Sequence, residues 1–97
     1  MQYLLVAYDG TDPEAYERRM RCRPEHFEKI APLKKRGSFI CGGAIVDESG
    51  RMIGSMIVYD VKSREELDSI LKDEPYIINK VWEKIDIKPF KMAKIEF

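Results

Sequence analysis

The sequence is poor in the residues that metal and redox chemistry use, with two cysteines, Cys22 and Cys41, and one histidine, His26, in 97 residues. No Cys-x-x-Cys spacing occurs, so the cysteines read as reduced thiols rather than as a disulfide framework or a redox pair. A closed zinc site would have to recruit carboxylates, and no metal is expected. Charge of one sign is also missing, because 17 Lys and Arg offset 17 Asp and Glu. That disfavours a nucleic-acid partner. No apolar run approaches the ~20 residues of a membrane span, and the opening MQYLLVAYDG has neither the basic head nor the small-residue cleavage site of a signal peptide. A cytoplasmic protein without a membrane partner is expected. No glycine-rich loop of the phosphate-cradling kind is present, and nothing in the chain calls for a cofactor.

What is present suffices for one core. Apolar residues make up 44% and charged residues 35% of the chain, with no linker, repeat or low-complexity tract to divide it, so residues 1–97 are expected to form a single domain. A chain of this length buries only about 60–65% of its unfolded surface, and a second copy covering an apolar face would add to that. A homodimer is expected.

Gln2–Asp9 is apolar almost throughout and reads as a central strand. Asp9-Gly10-Thr11-Asp12-Pro13 supplies turn residues, and Thr11 with Glu14 has capping-box spacing. A short helix over Pro13–Arg21 is predicted, interrupted at Pro24, which would open a second helix running to about Arg36 and stopped by Gly37. Phe39–Val46 and Met52–Asp60, split by Asp47-Glu48-Ser49-Gly50-Arg51, read as a hairpin. Gly42, Gly43 and Gly54 lie inside those strands and mark bulges or places of close approach to the backbone. Ser63 and Glu66 make a second capping box before a helix carrying Leu67, Ile70 and Leu71. A turn at Asp73-Glu74-Pro75-Tyr76 leads to a last strand over Val81–Phe97, in which Pro89 calls for an edge, a bulge or a subunit contact. The order β-α-β-β-α-β is the ferredoxin-like plan of an α+β fold, an antiparallel sheet with helices on one face.

Basic residues concentrate between Arg18 and Arg36, eight of them against Glu25 and Glu28. Most suit a solvated helix face. On a helical wheel, however, His26 falls between Ile30 and Leu33 and points inward, with Arg23 near the same side. An Arg and a His at a helix start beginning at Pro24 would form an anion site and hold the imidazole neutral. A histidine acting as a base needs a group to set its tautomer, and Asp73 and Glu74 are available for that. A core-edge histidine satisfied by one hydrogen bond is the alternative. Trp82 and the methionines read as packing, and Cys41 as a small core residue.

Arg23-Pro24-Glu25-His26, Gly37, Gly42, Gly54-Ser55, Glu74-Pro75-Tyr76 and Ile87-Lys88-Pro89-Phe90 together resemble the YciI (YCII-related) family along essentially the whole chain. The resemblance implies a ferredoxin-like fold of the dimeric α/β-barrel superfamily, in which two sheets pack face to face. It also implies a catalytic pair of His26 and the carboxylate before Pro75. The family has aspartate there and this chain has Glu74, one methylene longer. The same resemblance makes Arg23, Ser55, Gly42, Gly54 and Tyr76 the substrate-binding residues. Where many relatives have proline after Gly42 this chain has Gly43. The implied activity is cofactor-free acid–base chemistry of the lyase or isomerase type, including elimination, on a small aromatic or cyclic anionic substrate. The alternative is a noncatalytic homodimeric module that binds a small anionic ligand in the same cleft.

Overall fold

The central strand β1, Gln2–Asp9, alternates strictly along its length. Tyr3, Leu5, Ala7 and Asp9 are buried, while Leu4 and Val6 are half-buried on the opposite face. The computed structural model describes residues 1–95. In it β1 lies between β3, Met52–Asp60, and β4, Trp82–Phe90, and β2, Phe39–Val46, pairs only with β3. The sheet order is β2-β3-β1-β4 and every pairing is antiparallel. Leu5 stands opposite Ile57 on one side and Ile87 on the other, which puts three apolar residues in one row beneath the helices.

One helix, α1, runs unbroken over Ala15–Lys35 and carries Pro24 and Pro32 inside it, in place of the two helices predicted around Pro24. Each proline lacks the N–H that would bond the carbonyl four residues back, those of Met20 and Glu28. Pro24, Pro32, Met20 and Glu28 are all exposed, so water can satisfy the freed carbonyls and the apolar packing of the other face keeps the helix whole. The Thr11–Glu14 capping box does not form either: Glu14 is the N-cap residue and makes no side-chain capping bond. At the other end Gly37 adopts φ 85°, and Ser38 N–H donates to the Leu33 carbonyl at 2.9 Å, the Schellman arrangement for which a Cβ would be strained.

Helix α2, Arg64–Lys72, is capped by Ser63, whose hydroxyl accepts from Glu66 N–H at 3.2 Å, while the Glu66 carboxylate turns back to accept from Lys62 N–H at 2.7 Å. The one-turn helix α3, Pro75–Ile78, follows with Glu74 as its N-cap residue. All three helices lie on one face, giving the ferredoxin-like α+β architecture. Leu5, Ile57, Leu67, Tyr59 and Tyr76 are each no more than 2% exposed, and side chains of this size contribute about 1.5–3 kcal/mol apiece on burial. The far face shows Leu4, Val6, Tyr8 and Met56 without helical cover. β4 ends at Phe90 and not at Phe97; residues 91–95 are outside the sheet, and residues 96–97 are outside the described residues. Pro89 sits opposite Tyr3 in this edge strand, where its missing donor breaks no ladder. Among the described residues no helix is long and apolar enough to cross a membrane.

Candidate functional site

The buried stripe of α1 reads Ala15, Arg19, Cys22, His26, Ile30, at spacings of three and four residues. Two members of an otherwise apolar stripe are thus basic. Arg19 is 3% and His26 6% exposed, a degree of burial such side chains tolerate only with partners.

His26 Nδ1 lies 2.8 Å from Glu74 Oε2. The same oxygen accepts from the backbone N–H of Tyr76 at 2.9 Å, so α3 holds the carboxylate in place and the carboxylate holds the ring. Glu74 is itself 5% exposed. An oxygen accepting at two sites takes the Nδ1–H proton bond, which leaves Nε2 unprotonated in the neutral ring. Among the described residues Nε2 has no hydrogen-bond partner, yet it is not sealed from the surface, and His26 lines a cleft of about 290 Å³. The imidazole lies flat on Tyr76, with centroids 4.0 Å apart and planes 15° from parallel. His26 stands twelve positions into an uninterrupted helix, so the predicted helix-start anion site does not exist. Its orientation comes instead from Glu74 and Tyr76.

Arg19 forms a second buried group on the cleft wall. Its Nη1 donates to both oxygens of Asp9 at 3.0 and 3.1 Å, and its Nη2 donates to Ser55 Oγ at 2.8 Å. Trp82 Nε1–H donates to the same Ser55 oxygen at 3.1 Å. The guanidinium also lies 4.8 Å from the Tyr76 ring centroid, so one aromatic ring contacts both basic residues. Burial pushes the Asp9 carboxyl above its ordinary value of 3.8, with Arg19 pulling the other way. Burial likewise raises the Tyr76 phenol against the opposing pull of Arg19 and Arg23, and it raises the Cys22 thiol. Cys22 shares the stripe with His26 but makes no hydrogen bond to it among the described residues, and no thiolate pair forms there.

Arg23, half-buried, covers the Phe27 ring at 4.8 Å and lines the cleft, as do Gly42, Ser55 and Tyr76. Gly42 is tight: a Cβ there would meet the Met56 carbonyl oxygen at 2.8 Å and Phe39 Cζ at 2.9 Å. Gly54 does not line the cleft. A Cβ on it would run into the Ala7 carbonyl, so its place is beneath β1, where it lets two strands close up. Asp73 is the exposed C-cap residue of α2 and makes no bond to His26. Cys41 is exposed on the edge strand and is not the core residue expected.

Sequence reasoning passed over Arg19, Asp9 and Trp82. A signal existed for two of them: Arg19 lies seven residues before His26 on one stripe, and Asp9 occupies an inward position of β1 after Tyr3, Leu5 and Ala7. Trp82 packs in the core as expected, and its indole N–H is committed to Ser55. Among the described residues no three His, Cys, Asp or Glu side chains come together as a metal site.

With this geometry in view, the comparisons with known proteins agree on the fold. The chain superposes on 5-chloro-2-hydroxyhydroquinone dehydrochlorinase from Burkholderia phenoliruptrix AC1100, in complex with 2,5-dihydroxybenzoquinone, with a TM-score of 0.82 and 19% identity over 96% of each chain. A dimeric ferredoxin-like protein from an uncultured marine organism matches with a TM-score of 0.58 and 15% identity, over 97% of this chain and 92% of that one. In sequence it is 28% identical to protein YciI of Escherichia coli O6:H1, over 94% of this chain and 97% of that protein. The YCII-related domain profile matches residues 1–91, and the chain belongs to the YCII-related family.

Proposed function

We propose that this protein is a cofactor-free acid–base enzyme of the lyase type, with His26 as the base, that eliminates a leaving group from a small, oxygenated cyclic anion. The observation that carries this reading is the imidazole itself: Nδ1 is engaged by Glu74 and Nε2 is unpartnered at a cleft. Such a ring accepts a proton at Nε2 while the carboxylate stabilises the imidazolium that results. In the proposed step the substrate is bound as the keto tautomer in which the carbon bearing the leaving group is tetrahedral; Nε2 takes the proton of a ring hydroxyl, the O–H pair becomes a carbonyl, the ring pair shifts toward the tetrahedral carbon, and the leaving group departs with its own bonding pair. The proton stays on His26 until it passes to water or to the departing group, so no oxidant or reductant is consumed.

Arg23 at the cleft wall supplies a cation for a substrate oxygen that gains negative charge. Gly42 keeps the wall low where a flat ring would lie. The dehydrochlorinase with the similar fold acts by name in this class, and its complex holds a dihydroxylated quinone. A homodimer completes the proposal, with Leu4, Val6, Tyr8 and Met56 of each sheet covering those of a second copy.

The test is chloride release from a panel of chlorinated hydroxyhydroquinones without added cofactor. Release by the wild-type protein that falls by about 10²–10⁴-fold in His26→Ala supports the reading. Release that is absent, or unchanged in the variant, refutes it. Ligand binding without turnover favours the noncatalytic anion-binding module.

A further inference from the structure

The two long walls of the cleft run in the same direction and change character together. At one end Arg19 of α1 is bonded to Ser55 of β3; at the other, the Ser38 carbonyl, just past α1, accepts from the N–H of Asp60, the last residue of β3, at 2.8 Å. Between these points α1 contributes Arg19, Arg23 and His26 to the lining and then Ile30, while β3 contributes Ser55 and then Ile57. β2 runs the opposite way, with Ala44 opposite Ser55, Gly42 opposite Ile57 and Phe39 opposite Tyr59. A Cβ on Gly42 would meet Phe39 Cζ at 2.9 Å and Ile57 Cγ1 at 3.1 Å, so those two side chains converge where the glycine leaves space. Among the described residues the charged and hydrogen-bonding side chains of the lining thus gather toward Ser55, and Ile30, Ile57 and Phe39 close the other end.

From this gradient we infer that the cleft takes a two-ended ligand, a small anionic ring that carries a short alkyl substituent, with the charged end beside His26 and Arg23 and the alkyl group against Ile30, Phe39 and Ile57. The inference rests on the proposed function for placing the ring beside His26, and it deepens that reading by naming the substituent. Volume argues for it: a cavity of about 150 Å³ takes a benzene ring, so a ring fills roughly half of this cleft, whose volume is about 290 Å³. A wholly polar ligand would leave the other half wet against apolar walls and would gain nothing from their desolvation. The alkyl group takes no part in the elimination. Its effect is positional, because a flat ring held only through its charge can turn in its plane, and an apolar anchor at the opposite end fixes which ring atom meets Nε2. Ile30 and Phe39, which make no hydrogen bond to the dyad, then act as specificity-determining residues.

The test uses benzoate and its 4-methyl, 4-ethyl and 4-propyl derivatives at neutral pH, probes whose charge and chain lie at opposite ends of one ring. Binding to the wild-type protein is followed by NMR through the isoleucine methyl groups. Affinity should rise about three- to fourfold per added carbon, or about thirty- to sixtyfold from benzoate to 4-propylbenzoate. The propyl protons should show nuclear Overhauser contacts to Ile30 and Ile57. Equal affinities along the series overturn the inference, and so does a rise in which the propyl group contacts Leu4 and Val6 on the open sheet face instead. Neither arm needs a variant to fold. Ile30→Phe, which fills the apolar end, should cut the ratio of propylbenzoate to benzoate affinity to below about threefold, and a ratio that stays at its wild-type size overturns the inference. Failure of the elimination assay with the chain-length dependence intact refutes the enzymatic reading and leaves the ligand class standing, whereas chloride release with a flat series refutes the two-ended ligand alone.

Discussion

Replacing Glu74 in three ways separates its roles, because one oxygen serves both the helix cap and the histidine. Glu74→Ala leaves two buried donors without partners, His26 Nδ1–H and Tyr76 N–H. Loss of an N-cap costs about 1 kcal/mol, and a buried donor left unpaired costs about 1–3 kcal/mol more, so destabilisation of about 2–4 kcal/mol is expected. For a domain of this length each kcal/mol moves Tm by about 4–8 °C, and the melting curve should fall by roughly 10–25 °C. Glu74→Gln keeps an acceptor oxygen in the same place for both donors and loses only the charge, for about 1 kcal/mol. Glu74→Asp keeps the cap, since aspartate is a favoured N-cap residue, but draws the carboxylate back by about 1.5 Å and away from the imidazole. Thermal melts followed by circular dichroism should therefore rank the variants Gln, then Asp, then Ala in falling stability. In the elimination assay Asp and Ala should both lose activity, and Gln should lose it while remaining folded, because the imidazolium is no longer neutralised. Equal stability of Glu74→Ala and Glu74→Gln would refute the reasoning, since it would mean that the orphaned donors find water at no cost.

Two further outcomes test the fold around the site. Pro24→Ala restores a backbone bond to the exposed Met20 carbonyl and should stabilise the protein by about 2 kcal/mol, the helical cost of proline less its restriction of the unfolded chain; an unchanged urea midpoint contradicts the account given of α1. For Asp9 the folded carboxyl sits above its unfolded value of 3.8, so its contribution is fully present below that pH and declines as pH rises through the folded value. The loss of stability in Asp9→Asn, measured by urea unfolding at a series of pH values, should accordingly shrink as pH rises from about 3.8. A loss that grows instead would show that the pull of Arg19 outweighs burial.

Strand positions were legible in the sequence because apolar, β-branched runs are bounded by turn residues: Gln2–Asp9, Phe39–Val46 and Met52–Asp60 appear at the bounds expected. Pro24 misled because local preference was weighed without the tertiary face. Pro24 and Met20, whose carbonyl it frees, are both exposed, so the cost is bearable. The inward position of His26 could be read from the wheel, and the carboxylate before Pro75 from the motif. Arg19 could not be weighted in the same way. A basic residue among eight in one segment looks like part of a solvated face until Asp9, ten residues earlier on the central strand, is seen to meet it. Pairing between a strand end and a helix turn has no period of its own, so it enters only with the fold.

Tyr76 shows why the two halves of the site hold their relative geometry. It is 1% exposed and its carbonyl accepts from Val81 N–H at 2.9 Å, which ties α3 to the start of β4. Its own N–H fixes Glu74, its ring carries the imidazole at 4.0 Å, and the same ring seats the Arg19 guanidinium that holds Ser55. The imidazole and the Ser55 hydroxyl are thus both referenced to one core side chain. The opposite wall is built differently: β2 is an edge strand, Gly42 and Gly43 are exposed, and a Cβ at Gly43 would meet nothing within 4 Å. Substitutions at position 43 can therefore reshape that wall at little cost to the core, whereas any change at Tyr76 displaces His26 and Ser55 together. The packed side of the cleft thus fixes the imidazole and the Ser55 hydroxyl, while the open edge sets the shape of the facing wall.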